Sequence, residues 1–294
     1  MKTQLTFQSG VFQLSAILFR PDHFNPVPAI VISNPGGAVK EQASSLYAER
    51  LAAKGFAVLV FDNAYQGEST GEPRGLEDPF QRAEDIRNAV SYLTSRPDID
   101  SQRIGVMGIC ASGGYVMYTA QTDLRIKAVA TISATELAGL LFPTDEMRQS
   151  LLQRVGEQRN AAAKGLGEFL QNYVPADRTT AESFPERSLF REAYEYYRTP
   201  RGAHPNSTQW GIIRTDIAAQ FDAFRHNDWI SPRPVLAIVG SEAETIHFSE
   251  QAIAQSQAPK ELYSIKGASH VDLYDQDPFV EQCIEKLTQF FMTM

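Results

Sequence analysis

The segment Gly108-Ile109-Cys110-Ala111-Ser112-Gly113-Gly114 holds a thiol and a hydroxyl among small residues, directly after an apolar run. A nucleophile at a strand-to-helix junction stands on a sharp, strained turn. Only small side chains fit two residues before it and two and three after. With Cys110 as the nucleophile, those positions hold Gly108, Ser112 and Gly113. With Ser112 they hold Cys110, Gly114 and Tyr115, and the tyrosine is too large. The spacing favours Cys110 and keeps Ser112 as the alternative nucleophile. The chemistry would be attack on a carbonyl through a covalent acyl intermediate. A bland reading stands beside it, because free cysteine is commonly a small buried hydrophobe.

A thiol needs a base. His270 lies in Lys266-Gly267-Ala268-Ser269-His270-Val271-Asp272, just past an expected strand. Ligands in open α/β sheets bind at the carboxyl ends of the strands. His23, His204, His226 and His247 lack this placement and read as ordinary histidines. An imidazole and a helix N-terminus together lower a cysteine pKa. A third group should orient the imidazole. Glu244 is the expected acid and Glu242 the alternative, both just after the strand ending near Val239. Asp272 is a further rival that fits better as a cap of its own loop. Acyl transfer also needs N–H donors for the developing oxyanion. One is expected from Ala111 and the other from Gly37 or Ala38, in the loop Asn34-Pro35-Gly36-Gly37-Ala38.

The elements that must hold these groups alternate along the chain. Val11–Phe19, Pro28–Ser33, Phe56–Phe61, Ile104–Ile109 and Ala128–Ile132 read as strands, several of them apolar throughout, as in a parallel sheet buried on both faces. Glu41–Lys54 reads as a helix stopped by Gly55. Asp78-Pro79 opens another, with Asp as N-cap and Pro at the first turn, followed by Phe80, Ala83, Ile86, Val90 and Leu93 at helical spacing. The order predicts an α/β fold with a mostly parallel open sheet flanked by helices. The alternation breaks from about 134 to 230, where Glu146–Asn160, Ala161–Tyr173 and Phe190–Tyr197 read as helices. It resumes with Pro234–Val239 (strand), Phe248–Ala254 (helix), Glu261–Ile265 (strand) and Phe279–Phe291 (helix). The expected organisation is a core of residues 1–135 and 231–294 with a helical cap insertion at 136–230.

The chain has 294 residues, is 43% hydrophobic and 21% charged, and carries 27 Lys+Arg against 35 Asp+Glu, a net charge of −8. An acidic chain without a basic run is a poor partner for nucleic acid or an anionic membrane. Cys110 and Cys283 make neither a disulfide framework nor a metal cluster. No secretory leader or membrane-spanning run is read, so a cytoplasmic location is expected. No metal or cofactor is implied. A homodimer is compatible with the sequence.

Four segments stand in one order: Asn34-Pro35-Gly36-Gly37, Phe61-Asp62-Asn63-Ala64-Tyr65-Gln66-Gly67-Glu68-Ser69, Gly108-Ile109-Cys110-Ala111-Ser112-Gly113 and Gly267-Ala268-Ser269-His270. Together they resemble the α/β-hydrolase superfamily, and within it the dienelactone-hydrolase-related branch, whose elbow carries cysteine. The resemblance implies the order nucleophile, acid, histidine, and a structural Asp-x-x-x-x-Gly-x-Ser loop at Asp62–Ser69. It also implies a cap over the pocket, with Tyr194, Tyr196, Tyr197 and Trp210 as candidate wall residues. The implied activity is hydrolysis of small carboxylic esters or lactones on Cys110. Alternatives are a thioesterase or acyltransferase with the same triad, or a ligand-binding member without turnover.

Overall fold

The computed structural model describes residues 1–22, 26–167 and 170–294. His23 lies outside the described residues, as does the middle of the helix expected at Ala161–Tyr173. The strands of the core are β1 (Lys2–Ser9), β2 (Phe12–Phe19), β3 (Val27–Ser33), β4 (Ala57–Phe61), β5 (Ile99–Ile109) and β6 (Ile126–Ile132). After an insertion come β9 (Val235–Gly240) and β10 (Lys260–Ile265), with β7 (Leu170–Asn172) and β8 (Gln209–Gly211) inside it. The core sheet runs β1-β2-β4-β3-β5-β6-β9-β10. Only the pairings of β2 with β1 and with β4 are antiparallel. The mostly parallel sheet is therefore as the alternation predicted, and β3, β4 and β6 are almost wholly buried.

Register positions the site. Ser33 pairs with Gly108, Ile109 with Ile132, and Gly240 with Ile265. The loops that start after these residues therefore leave the sheet along one edge, although they are far apart in sequence. Helices α1 (Ala43–Ala53), α2 (Pro79–Thr94), α3 (Ser112–Thr122), α8 (Ile246–Gln255) and α10 (Phe279–Phe291) cover the sheet. Asp78 caps α2 as expected: its Oδ1 accepts from the amides of Phe80 and Gln81 at 3.0 and 3.2 Å. Phe80 differs from the other periodic positions, being 42% exposed and packed on Tyr118 and Phe221 at the helix edge.

The insertion between β6 and β9 carries α4 (Leu137–Leu141), α5 (Asp145–Ala163), α6 (Arg178–Glu182) and α7 (Leu189–Tyr197), followed by 3-10 turns at Ile212–Gln220 and Asn227–Ile230. The expected helix at Ala161–Tyr173 is corrected. Helix α5 continues to Ala163 and ends at Gly165, whose φ of +70° favours glycine. The chain then pairs as β7 with β8 in a short antiparallel ribbon. Strand β1 was not anticipated from the sequence, because one face of it is solvent-exposed and polar. Among the described residues, no helix is long and apolar enough to cross a membrane.

Candidate active site

Cys110 directly follows β5 and stands at φ +56°, a left-handed conformation that costs a non-glycine residue energy. The turn is held by Cys110 N–H to Ile132 O at 2.9 Å and by Gly113 N–H to Cys110 O at 2.8 Å. Its sterics match the argument from small residues. A Cβ on Gly108 would come within 2.0 Å of Ser112 O, and one on Gly113 within 2.5 Å of Ala134 Cβ. The sulfur faces the amides of Ala111 and Gly36, the Tyr274 hydroxyl, and Thr135 Oγ1 at 3.9 Å. Burial pushes the thiol pKa up, while these four donors pull against it.

Ser112 occupies a different place. It is fully buried under the turn, and its hydroxyl bonds to Asn34 O and lies 2.9 Å from Ser33 Oγ. It ties the elbow to the end of β3 and does not line the pocket beside Cys110. The amide from the Asn34–Ala38 loop differs from expectation by one or two residues. Ala38 N–H is engaged with Pro35 O at 3.1 Å, and Gly37, at φ +68°, accepts Thr208 N–H at its carbonyl. Gly36 is instead the loop residue whose N–H is directed at the sulfur. Ala111 stands where it was expected.

His270 is fully buried at the same edge. Gly240 makes room for its loop, since a Cβ there would lie 2.2 Å from Ala268 O. Ser133 Oγ donates to His270 O at 3.0 Å and fixes the backbone. Ser269 and Asp272 cap each other's amides at 3.2 and 3.0 Å, starting the short α9 (Asp272–Asp275). Asp272 thus caps its own loop. The imidazole Nδ1 lies 2.5 Å from Thr245 Oγ1, and Nε2 lies 3.2 Å from Tyr274 Oη. Burial alone pushes the imidazole pKa down to about 3.

Glu244 does not meet the imidazole, which corrects the expected triad. Its side chain points to the insertion, where Oε2 accepts the Leu189 amide at 2.8 Å. Glu242 is half exposed and pairs with Arg187 at 2.9 Å. The residue next to Glu244 turns inward instead, so a hydroxyl fills the orienting position. Sequence reasoning also missed Tyr274. Its one available signal is spacing: four residues after His270 is one helical turn, which stacks side chains on the same face. In the Asp62–Ser69 loop the expected structural role holds. Asp62 accepts from Lys40 N and from Lys40 Nζ and Glu68 N at 2.8–2.9 Å.

The insertion closes over Cys110. Tyr173, Val174, Leu189, Phe190 and Tyr197 face it across a free space of about 20 Å³, room for about one water. Leu140, Leu189 and Phe190 separate this pocket from an open apolar hollow of about 260 Å³. Of the candidate wall residues, Tyr197 lines the pocket. Tyr196 packs on Tyr274 and Trp210 on Tyr173 one layer behind it, and Tyr194 is not among the lining residues. Among the described residues, no group of three or more His, Cys, Asp or Glu is placed to hold a metal ion.

Comparison with known proteins places the chain by family and fold. The model of the family described as X-Pro dipeptidyl-peptidase (S15 family) matches residues 9–196. YcjY of Escherichia coli (strain K12) is 35% identical, with 99% of this chain and 98% of that one covered. The thiohydrolase aneE of Aspergillus aculeatus is 34% identical over 48% of this chain and 44% of its own. The crystal structure of PA2218 from Pseudomonas aeruginosa superposes with a TM-score of 0.91 at 33% identity, covering 100% of this chain and 93% of that one. A dienelactone hydrolase from Anabaena variabilis shares the fold at TM-score 0.59 and 16% identity, covering 100% of this chain and 97% of that one.

Proposed function

The chain belongs to the X-Pro dipeptidyl-peptidase (S15) family of α/β-hydrolases, and on that premise we propose that it hydrolyses small carboxylic esters, lactones or thioesters through an acyl-enzyme on Cys110. The observation that carries the reading is the Cys110 sulfur itself, raised on a strained turn and faced by the amides of Gly36 and Ala111. Those amides are aimed where a carbonyl oxygen would gain charge during attack. The alternative nucleophile, Ser112, has its hydroxyl committed to the β3 end.

The thiol proton passes to Tyr274 Oη as the Tyr274 proton passes to His270 Nε2, in the tautomer whose Nδ1–H donates to Thr245 Oγ1. The sulfur attacks the carbonyl carbon, and the oxyanion accepts hydrogen bonds from the Gly36 and Ala111 N–H groups, which keep their protons. Collapse breaks the bond to the leaving group, which receives the proton from His270 along the same path. Water then cleaves the thioester with His270 as base. A peptidase acting on free N-termini needs a carboxylate for the substrate's ammonium. None lines the pocket among the described residues, which favours uncharged acyl groups.

Thioesters are the preferred acyl donors of this reading. Exchange of one thiolate for another is close to isoenergetic, and the relative aneE is named a thiohydrolase. The insertion serves as the cap, and the hollow behind Leu189 and Phe190 suits the apolar end of a substrate. The test is intact-mass spectrometry with peptide mapping after exposure to an acylating ester. An acyl adduct on Cys110 is expected. An adduct on Ser112, or turnover without any adduct and with full activity in Cys110→Ala, overturns the reading.

A further inference from the structure

Two phenols line the Cys110 pocket with hydroxyls sealed from solvent. Tyr173 Oη has no hydrogen-bond partner, and Tyr197 Oη makes no well-formed hydrogen bond, its polar neighbour being the Tyr274 hydroxyl in loose contact. Other buried phenols are satisfied: Tyr47 donates to Leu273 O at 2.6 Å, and Tyr115 to Glu77 Oε1 at 2.8 Å. A buried donor left unpaired is expensive, and phenylalanine would fill the same space without that cost. Both hydroxyls belong to side chains that line the catalytic pocket. A Cβ on Gly36 would lie 2.9 Å from Tyr173 Oη, so this hydroxyl stands beside the loop whose amide faces the sulfur. Tyr197 faces the Tyr274 hydroxyl on the other side. Burial holds both phenols neutral, as donors.

The charge around them narrows the ligand. No Lys or Arg lines this pocket among the described residues. The nearby Arg82 guanidinium is committed to Glu77 and Asn63. A substrate carboxylate would be buried there without a counter-charge. A neutral acceptor oxygen meets no such penalty and would satisfy the idle donors.

We propose that Tyr173 and Tyr197 are specificity residues that donate hydrogen bonds to a second, neutral oxygen of the substrate, an oxo or hydroxy group near the reacting carbonyl. The substrate class is then an oxygenated ester or thioester, distinguished from a plain hydrocarbon acyl group and from a charged one. The assignment rests on the acyl-enzyme reading of Cys110. A site built to pair with a substrate oxygen discriminates against the analogue lacking it, because its own donors then stay unpaired.

The test compares kcat/KM for the N-acetylcysteamine thioesters of 3-oxohexanoate and hexanoate, each corrected for its uncatalysed hydrolysis. The proteins are the wild type, Tyr173→Phe, Tyr197→Phe and the double variant. The wild type should favour the 3-oxo substrate by about tenfold or more, and the ratio should fall towards one in the double variant. A wild-type ratio near one, or a ratio unchanged in the double variant, overturns the proposal and leaves the hydroxyls to ordered water. Equal losses on both substrates overturn it too and make Tyr173 an oxyanion donor. Thermal unfolding gives an independent reading. Tyr197→Phe should melt at or above the wild-type temperature, and a clear fall would reveal a bond in the free protein and overturn the proposal. Cys110→Ala on the same substrates separates the two readings. Surviving turnover there defeats the acyl-enzyme, while the selectivity ratio still judges the tyrosines.

Discussion

The Tyr274 hydroxyl stands 3.2 Å from His270 Nε2 and also faces the Cys110 sulfur, so a phenol bridges the thiol and the imidazole. Three features hold it there. Tyr274 lies four residues after His270, in the short α9 that begins at Asp272, its ring packs edge-on against Tyr196, and Tyr47 anchors α9 through Leu273 O. In the proposed mechanism this hydroxyl is the path by which a proton passes between the buried thiol and the buried imidazole.

Removing the bridge should slow chemistry more than binding. Tyr274→Phe keeps the ring packing and deletes the hydroxyl at 3.2 Å from Nε2. We expect kcat to fall by about 10²-fold, within the usual range for proton-transfer groups, with KM changed much less. Steady-state kinetics decide it. A variant with wild-type kcat would mean that the thiol reaches the imidazole directly.

The orienting group should be a hydroxyl and not a carboxylate. Thr245→Val removes the Nδ1 partner at 2.5 Å and should lose activity, whereas Thr245→Ser should retain most of it. Glu244→Gln leaves an acceptor for the Leu189 amide and should cost less than threefold, roughly within 0.6 kcal/mol. If Glu244→Gln proves as damaging as Thr245→Val, the carboxylate takes part after all.

Ser112 should separate stability from activity. Ser112→Ala loses its bonds to Asn34 O and Ser33 Oγ and should cost about 1–2 kcal/mol in chemical denaturation. Its kcat should stay within a few-fold of wild type, while Cys110→Ala loses turnover. The opposite ranking would transfer the nucleophile to Ser112.

The resting thiol should behave as a thiol. Burial raises the Cys110 pKa above its usual value near 9, and Cys283 is pushed up to about 12. Alkylation of the native protein by iodoacetamide should therefore be slow at pH 7 and accelerate above pH 9, at Cys110 before Cys283. Rapid alkylation of Cys110 at pH 6 would instead indicate a thiolate–imidazolium pair.

His270 makes stability fall in acid. Its folded pKa of about 3 lies below the ordinary 6.5. Between these values the unfolded chain binds a proton that the folded chain refuses, so unfolding becomes easier as pH drops from 6.5 towards 3. The slope from this group reaches about 1.4 kcal/mol per pH unit. Denaturation curves at pH 5.0 to 7.5 should steepen accordingly in the wild type and flatten in His270→Gln. Parallel curves for the two proteins would place the acid sensitivity elsewhere.

Much of the scaffold was legible in local pattern. Uninterrupted apolar runs marked β4 and β6, the Asp78-Pro79 pair marked the start of α2, and small residues around Cys110 marked the elbow, because each depends on near neighbours along the chain. The short ribbon of β7 and β8 was not legible, since three-residue strands carry no period to read and pair with residues some forty positions away. The amide directed at the sulfur was read one or two positions late, at Gly37 or Ala38, because peptide orientation within a glycine turn depends on what the turn packs against. The sequence by itself determined that a thiol and an imidazole each follow the carboxyl end of a buried strand, because strand ends are marked by hydrophobic pattern and turn residues. Only the tertiary structure decided which polar atoms touch them. Thr245 turns in while Glu244 turns out, and Tyr173 and Tyr197 arrive from an insertion without a motif. The partner of a buried polar atom is chosen by side chains converging from distant segments, and no spacing along the chain encodes that.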